Sequence, residues 1–562
     1  MLKGLAGIGL SVVFWGFLIF GVFTGFKPTL VAPVAIPRAL YAWFEHRARP
    51  TLLRGIWMVW TCAGIGYAAR AFFVKGLFAG LMPLLIVIAG SGVLTFLHGA
   101  IYKGEAARGA RTLRGTALGK GTATAVPSGE YALNVHIGGQ AIDHNTEAEH
   151  FLISGKTGAG KSQAINAMLR TVRERSDAGL PQRAIIADPA GGYWQKFARE
   201  GDVLLNPFDA RSASWSPFTE LREDADCQNM AKAAIPDATG DSQQWHFYAQ
   251  TLFAETLRVL WHRGTWSTKE LLRLIMAADR KELAEVVAGT AAAQLTGKES
   301  ERMLGNTRSI AATYLNAWQH LPDVGAFSVR EWVQESARGP GPWLFLTYRD
   351  SQLALMRNLI ACWLELAIIE GLELEEDNTG VRRLWYVMDE LDSLGKITSL
   401  RAGLTKLRKY GGVGVCGLQT IAQLRDRYGR EEAQTLLSCL STKLLLAAGD
   451  AETAEYFSRE IGDHAVVRNV RSQNSGSSKG MRWDSGSNSQ GESVSEQYAT
   501  ERAVLASQIT GLANLQGYLK RVNLAEWIPV AIPYVSMPAN LPAYVPRPQT
   551  GPVPVAKPTG EN

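Results

Sequence analysis

Residues Phe151–Leu169 read FLISGKTGAGKSQAINAML. The first four suit a short buried strand. A glycine-rich turn follows, then Lys-Ser, then a run with helical character. Gly155, Lys156, Thr157, Gly158, Ala159, Gly160, Lys161 and Ser162 complete the pattern G-x-x-x-x-G-K-[ST]. Glycines at these places let backbone N–H groups turn inward around phosphate oxygens, and a helix starting near Gly160 adds its dipole. Lys161 is placed to bridge the β- and γ-phosphates of ATP, and the Ser162 hydroxyl to ligate Mg2+. A strand before the loop and a helix after it make a chance match a poor explanation.

Such a loop needs an acidic partner at the end of another buried strand. The run LWYVMDE, Leu384–Glu390, supplies it. Asp389 is expected to hold Mg2+ through its water shell, and Glu390 to orient and deprotonate an attacking water. Exposed acids at a strand end are the plainer reading, but an apolar run closed by Asp-Glu is what a phosphate loop requires. Gln419 follows the apolar run Val413–Leu418, from where it could reach the γ-phosphate or the water. Arg408 precedes Gly411-Gly412 and, taken alone, is one surface arginine among many. Asp188 closes another apolar run and reads first as a helix cap.

Working outward, short apolar runs recur at Phe151–Ser154, Ala184–Ala187, Val203–Leu205, Trp343–Thr347, Leu384–Met388, Val413–Gly417 and Leu444–Ala448, with Tyr131–Ile137 leading in. Helical stretches separate them, which predicts an α/β fold with a mostly parallel sheet. From about Ser214 to Phe327 the strand signals vanish. Trp245, Tyr248, Ala249, Leu252, Phe253, Thr256, Val259 and Leu260 share one helical face there. The segment reads as an all-helical insertion.

The first hundred residues have a different character. Gly4–Phe26 carries no charge over a length that spans a bilayer, and Gly76–Tyr102 is a second such stretch. Gly55–Ala69 is shorter and closed by Arg70, which allows a third span or an interfacial helix, at about 55–74. Arginines and lysines after Tyr102 place the rest of the chain on the cytoplasmic side. The chain of 562 residues is 46% hydrophobic and 20% charged, with net charge +6. That balance is mildly basic, compatible with a nucleic-acid or anionic-lipid partner. Five cysteines stand without CxxC or CxxH spacing, which argues against a zinc site or a disulfide framework and suits a reducing compartment.

Five regions are therefore expected: a membrane anchor at 1–102, motor segments at 103–213 and 329–535, a helical insertion at 214–328, and a Pro-rich tail at 536–562. Residues 108–129 read as a connector. Residues 471–499, rich in Ser, Gly and Asn, read as a mobile loop. The tail reads as extended, either passive or a docking segment.

Several further blocks resemble the TraD/TrwB group of type IV secretion coupling proteins, the membrane-anchored ATPases of bacterial conjugation. They are LLNPFDARSASW (Leu204–Trp215), QQWHFYAQTLFAETL (Gln243–Leu257), LRKYGGVGVCGLQTIAQLRDRYG (Leu407–Gly429) and AGDAETAEYFSREIGD (Ala448–Asp463). The resemblance implies a RecA-like P-loop domain with an all-alpha domain, a homo-hexameric ring at the bacterial inner membrane, and DNA-stimulated ATP hydrolysis. It implies as partners single-stranded DNA without sequence preference, a relaxase or relaxosome, and the secretion channel. By the same resemblance Lys161, Ser162, Asp389 and Glu390 take the Walker positions, Gln419 senses the γ-phosphate, Arg408 is an arginine finger, and Trp245 belongs to channel control. The middle hydrophobic stretch and the Pro-rich tail depart from the family pattern.

Other machines fit less well. An FtsK-type translocase would carry a winged-helix DNA reader after the motor, and few residues follow Val535. An ABC ATPase would show an LSGGQ-like signature after the loop. A membrane AAA+ protease would show HExxH. A coupling ATPase for protein-only secretion would share the same motor.

Overall fold

A computed structural model describes residues 110–119, 134–238, 240–479, 486–522 and 524–548. The two expected membrane spans and the possible third fall outside the described residues, as do 549–562 of the tail. Among the described residues are the strands β1 (Ala110–Gly115), β2 (Val135–Ile137), β3 (Gln140–Ile142), β4 (Phe151–Ser154), β5 (Gln182–Pro189), β6 (Val203–Leu205), β7 (Leu344–Tyr348), β8 (Arg383–Met388), β9 (Gly412–Leu418), β10 (Thr442–Leu446), β11 (Asp463–Lys479), β12 (Gly486–Arg502), β13 (Gln516–Lys520) and β14 (Trp527–Ala531). The helices that matter here are α1 (Lys161–Asp177), α2 (Gly192–Phe197), α3 (Asp224–Ala234), α4 (Gln243–His262), α5 (Thr268–Met276), α6 (Arg280–Val286), α7 (Glu301–Leu315), α8 (Val329–Glu335), α9 (Asp350–Leu372), α10 (Leu400–Lys406) and α11 (Ile421–Tyr428).

Nine strands form one sheet in the order β14-β13-β10-β4-β9-β8-β5-β7-β6. From β10 to β6 every pairing is parallel, while β13 and β14 add an antiparallel edge. The central strands β4, β7, β8, β9 and β10 are buried at every position. A parallel sheet is covered on both faces, so its strands read as unbroken apolar runs. All seven apolar runs fall on strands of this sheet, within a residue or two at the ends. Of Tyr131–Ile137, Val135–Ile137 forms β2, and residues 131–133 lie outside the described residues. Neither β13 nor β14 was expected. Their sequences, QGYLK and WIPVA, are short and interrupted by Gly517 and Pro529, residues tolerated at a sheet edge.

Two apolar cores cover the sheet. One holds Ile153, Ile165, Met168 and Leu169 beneath α1, with Trp194 of α2. The other holds Trp363 and Leu364 of α9 and runs on into the helices after β6. Among the described residues α9 alone is long and apolar enough to cross a membrane. It packs instead against α3, α8 and α10.

Between β6 and β7 the described chain is helical, with α3 to α8 and short 3-10 turns. Its two ends meet where Ala326 and Phe327 donate N–H to the Ser214 carbonyl, at 2.7 and 3.0 Å. Trp215, fully buried, sits at this neck. Its ring packs edge-to-face on Trp318 and Trp363, with centroids 5.4 and 5.7 Å apart, and its Nε1–H donates to Glu220 at 2.6 Å. The buried Glu220 carboxylate also accepts from the Ser328 hydroxyl and from the Val329 and Arg330 N–H groups. The helical face expected on α4 is rotated in the structure. Ala249, Leu252, Phe253, Thr256 and Leu260 are buried as expected, joined by His246, Ala254 and Leu257, whereas Trp245, Tyr248 and Val259 lie at its half-buried margin.

Two expectations are corrected. Part of the expected connector is strand β1, and most of the expected mobile loop 471–499 is regular: β11 and β12 form a three-stranded sheet with β1, in the order β1-β11-β12. Low apolar content argues for disorder, but ladder hydrogen bonds need no apolar burial. This sheet lies largely in a smaller compact unit, which takes Ala465–Ala499 and the described residues up to Leu113; the larger unit takes Arg114–His464 and the chain from Thr500 onward. Of the tail, residues 540–547 bond to the body. Asn540 N–H donates to the Gln195 carbonyl, Ala210 N–H to that of Val545 and Arg547 N–H to that of Phe208.

Candidate functional site

The strand order β4-β9-β8 decides the site. Strand β4 runs into the glycine-rich loop, β8 into Asp389, and β9, lying between them, into Gln419. Parallel strands bring all three carboxyl ends to one edge, where open α/β sheets bind ligands. The loop is stitched to its neighbours there: Gly155 N–H donates to the Leu418 carbonyl at 3.1 Å, and Lys156 N–H to that of Ala447 at 2.7 Å.

Helix α1 starts at Lys161 as expected, capped by Gly160 at φ 115°. A side chain at 160 is strained by that dihedral, and its Cβ would lie 2.7 Å from Leu515 Cδ2, which would have to shift. Leu515 also donates its N–H to the Ala159 carbonyl at 2.9 Å, so the turn before β13 closes over the loop. No sequence pattern marked Leu515. At Gly158, by contrast, an added Cβ would meet nothing within 4 Å, so the cradle is open on that side. The Lys161 ammonium donates to the Gly155 carbonyl at 2.8 Å, folded into the loop it serves.

The acids converge on this loop. Asp389 Oδ2 accepts from the Ser162 hydroxyl at 2.8 Å and from the Tyr193 hydroxyl at 2.7 Å. Asp389 Oδ1 is buried with no protein partner. Glu390 Oε1 accepts from Gln419 Nε2 at 3.2 Å, so the expected base and the expected sensor touch. Burial pushes the Glu390 carboxyl above the usual range, and the charges of Asp389 and Asp392 push the same way, against Lys161 and Gln419. Asp392 accepts the N–H groups of Gln419 and Thr420 at 3.0 and 3.4 Å, which ties the end of β9 to the turn after β8. Its spacing, two residues past Glu390 in MDELD, was the one available clue to it.

Asp188 is not the N-cap of α2, which is Gly191; from the end of β5 its carboxylate accepts N–H bonds from Tyr193 at 2.9 Å and Trp194 at 2.7 Å. Its carboxyl is pushed up to about 7, chiefly by burial. The Tyr193 phenol is raised well above its ordinary range by burial and by Asp389, so it stays a donor. Tyr193 follows Gly191-Gly192 and carried no motif of its own.

Arg408 is not part of this cluster. It lies on the turn before β9, at the opposite edge of the sheet from Gln419, and forms a largely exposed ion pair with Glu149 at 3.0 Å. Seven residues of strand span about 20 Å, too far for an arginine to reach back to its own loop. A cavity of about 420 Å3 lined by Lys443, Glu460, Lys520 and Trp527 also lies at that opposite edge, away from the phosphate loop. Among the described residues no cluster of His, Cys, Asp and Glu fits a protein-only metal site.

Residues 134–533 match the family model of the type IV secretion-system coupling protein DNA-binding domain. The chain belongs to this coupling-protein family. Coupling protein TraD of Escherichia coli K12 is 27% identical over 422 residues, 74% of this chain and 56% of TraD. The chain thus spans about half the length of the curated relatives it matches. Among solved structures, the unbound coupling protein TrwBdeltaN70 is similar at 32% identity and a TM-score of 0.69, over 78% of this chain and 97% of that one. The coupling protein TrwB in complex with ADP and Mg2+ is similar at 31% identity and a TM-score of 0.67, over 78% and 98%.

Proposed function

We propose that the chain is the ATP-hydrolysing motor of a conjugative type IV secretion system, moving single-stranded DNA toward the secretion channel. One observation carries the hydrolase reading: phosphate loop, Asp389, Glu390 and Gln419 meet at one sheet edge, with Glu390 held by Gln419. The TrwB complex with ADP and Mg2+ supports ATP and Mg2+ as the ligands here. The residues fit both. Lys161 and the N–H groups of Gly158, Gly160, Lys161 and Ser162 would hold the phosphates, and Ser162 and Asp389 the ion, for which the unpartnered Asp389 Oδ1 is a ready acceptor. Bound together, they supply the phosphoanhydride bond and the charge that stabilises its cleavage. Glu390 takes the proton of the attacking water. Its raised pKa makes it a better acceptor than an exposed carboxylate, and Gln419 fixes its orientation.

Arg408 serves a neighbouring subunit in this reading. Its distance from its own loop and its exposure suit a residue that acts across an interface in a homo-hexamer. Residues 103–213 and 329–535 form the motor, 214–328 the all-alpha domain, 536–562 the tail, and 1–102 the anchor in the inner membrane, with the motor cytoplasmic. The partners are a relaxase or relaxosome, DNA gripped through its phosphates, and secretion-channel components.

The test is ATP hydrolysis by the full chain in detergent, with and without single-stranded DNA, across salt concentrations. DNA stimulation that fades with salt is expected. Hydrolysis without stimulation at any salt would reject DNA as the substrate and favour protein-only secretion. A Glu390→Gln chain that binds nucleotide but still hydrolyses it at full rate would reject the site assignment.

A further inference from the structure

Asp389 Oδ2 has two hydroxyl donors, and their commitments differ. Ser162 sits on the phosphate loop, and its oxygen turns to the metal in the reading proposed above. Tyr193 has no such second duty. Once Ser162 is engaged, Tyr193 is the one side-chain donor left to Asp389 among the described residues.

The short helix that carries the phenol is held from several sides. Its own N–H and that of Trp194 are bound by the buried Asp188 carboxylate. The neighbouring Trp194 packs edge-to-face on Phe345, with centroids 5.3 Å apart. The C-terminal segment lies across the same short helix. Asn540 N–H donates to the Gln195 carbonyl at 2.8 Å. The Ala543 carbonyl comes so close to Gly191 that a Cβ there would sit 2.6 Å from it. Arg211 ties this segment down by donating to the Pro542 and Ala543 carbonyls at 2.7 and 3.3 Å, while its guanidinium lies 5.2 Å from the Trp194 ring centre.

We infer that Tyr193 is a positioning residue that holds the Asp389 carboxylate in one rotamer throughout turnover, on a helix braced by the C-terminal segment around Asn540–Val545. A carboxylate with one free oxygen and one oxygen held by hydrogen bonds presents the same face each time a metal arrives. Without the phenol, the carboxylate rotates and each arrival must reorder it. This rests on the ATP and Mg2+ reading.

The experiment compares the full-length wild type with Tyr193→Phe, which keeps the ring and removes the donor. Four quantities are read: kcat, the free Mg2+ giving half-maximal hydrolysis, the affinity for a fluorescent ATP analogue in EDTA, and Tm. A hydrogen bond to a charged group predicts a roughly tenfold fall in kcat and a similar rise in the Mg2+ requirement. Metal-free affinity and Tm should stay unchanged. Arg211→Ala, which releases the segment far from Asp389, should move the Mg2+ requirement the same way by a smaller factor; no movement would overturn the brace. Tyr193→Phe with wild-type kcat and Mg2+ dependence would overturn the positioning role, as would a loss of metal-free affinity together with Tm. A wild type that neither binds nor hydrolyses ATP would instead reject the underlying reading.

Discussion

Gly417 offers the sharpest test of how the site is held. It sits on β9 between the phosphate-loop strand and the acid-bearing strand, paired with Ile153 of β4. A Cβ at 417 would lie 1.9 Å from the Asp389 carbonyl oxygen and 2.6 Å from its carbonyl carbon. Those atoms are backbone and cannot swing aside. Ordinary carbon contacts lie near about 3.5 Å, so Gly417→Ala must push the Asp389 main chain away by roughly 1 Å or more. Overpacking of this kind costs about 1–3 kcal/mol of stability, or several degrees in Tm. A displacement of about 1 Å in catalytic geometry costs on the order of 100-fold in rate. The phosphate loop, on the other flank of β9, keeps its own hydrogen bonds. The expected outcome is a full-length variant that binds an ATP analogue within about threefold of wild type while kcat falls on the order of 100-fold. Both are measured by fluorescence titration and coupled phosphate release. A kcat within threefold of wild type would refute the claim that close packing of β9 on the acid strand sets the site.

Three further outcomes are expected. His150 is buried, accepts the Gly414 N–H at Nδ1 and faces the Leu404 carbonyl with Nε2, a neutral imidazole whose pKa burial lowers from 6.5 to about 4. The unfolded chain therefore binds the proton more tightly, and stability present above pH 6.5 is lost as pH falls toward 4. The effect amounts to about 3 kcal/mol, and the Tm gap between wild type and His150→Gln should narrow over that window. Trp215→Ala empties the neck of the helical insertion and strands the Glu220 carboxylate. A loss of roughly 3–5 kcal/mol in chemical denaturation is expected, and a loss below about 1 would deny the neck its structural role. Arg408→Ala should leave nucleotide affinity unchanged and abolish turnover, and adding it to wild-type subunits should depress their rate more than in proportion. Simple dilution would exclude a role across subunits.

The parallel core was legible because every strand buried on both faces must be apolar throughout, as FLIS, AIIA and LWYVM are. The glycine-rich loop and the acid pair after β8 were legible because phosphate chemistry would fix both residue type and spacing. Arg408 and Gln419 were named from the sequence, but only the parallel direction of β9 separates them to opposite edges of the sheet. Tyr193, Asp392 and Leu515 escaped because each acts through a contact made by the fold: a phenol across α2, a carboxylate closing the gap between β8 and β9, a backbone amide lying on the loop. The ribbon of β11 and β12 escaped because composition measures what a segment can bury, not what its backbone can pair with. The rotation of the α4 face followed from the same limit. Periodicity finds a stripe, and the neighbours decide which edge of the stripe faces inward.

Strand β9 itself has a mechanical corollary. Arg408 just precedes it, Gln419 just follows it, and every residue from Gly412 to Leu418 is buried, paired with β8 along Gly412–Cys416 and with β4 along Val415–Leu418. Such a strand behaves as a stiff pushrod. If Arg408 feels a neighbour's phosphate, axial displacement at that end arrives undiminished at the glutamine holding Glu390. Firing in one subunit would then set the timing of the next without any large rearrangement, and the order of events around a ring would be written into one seven-residue rod.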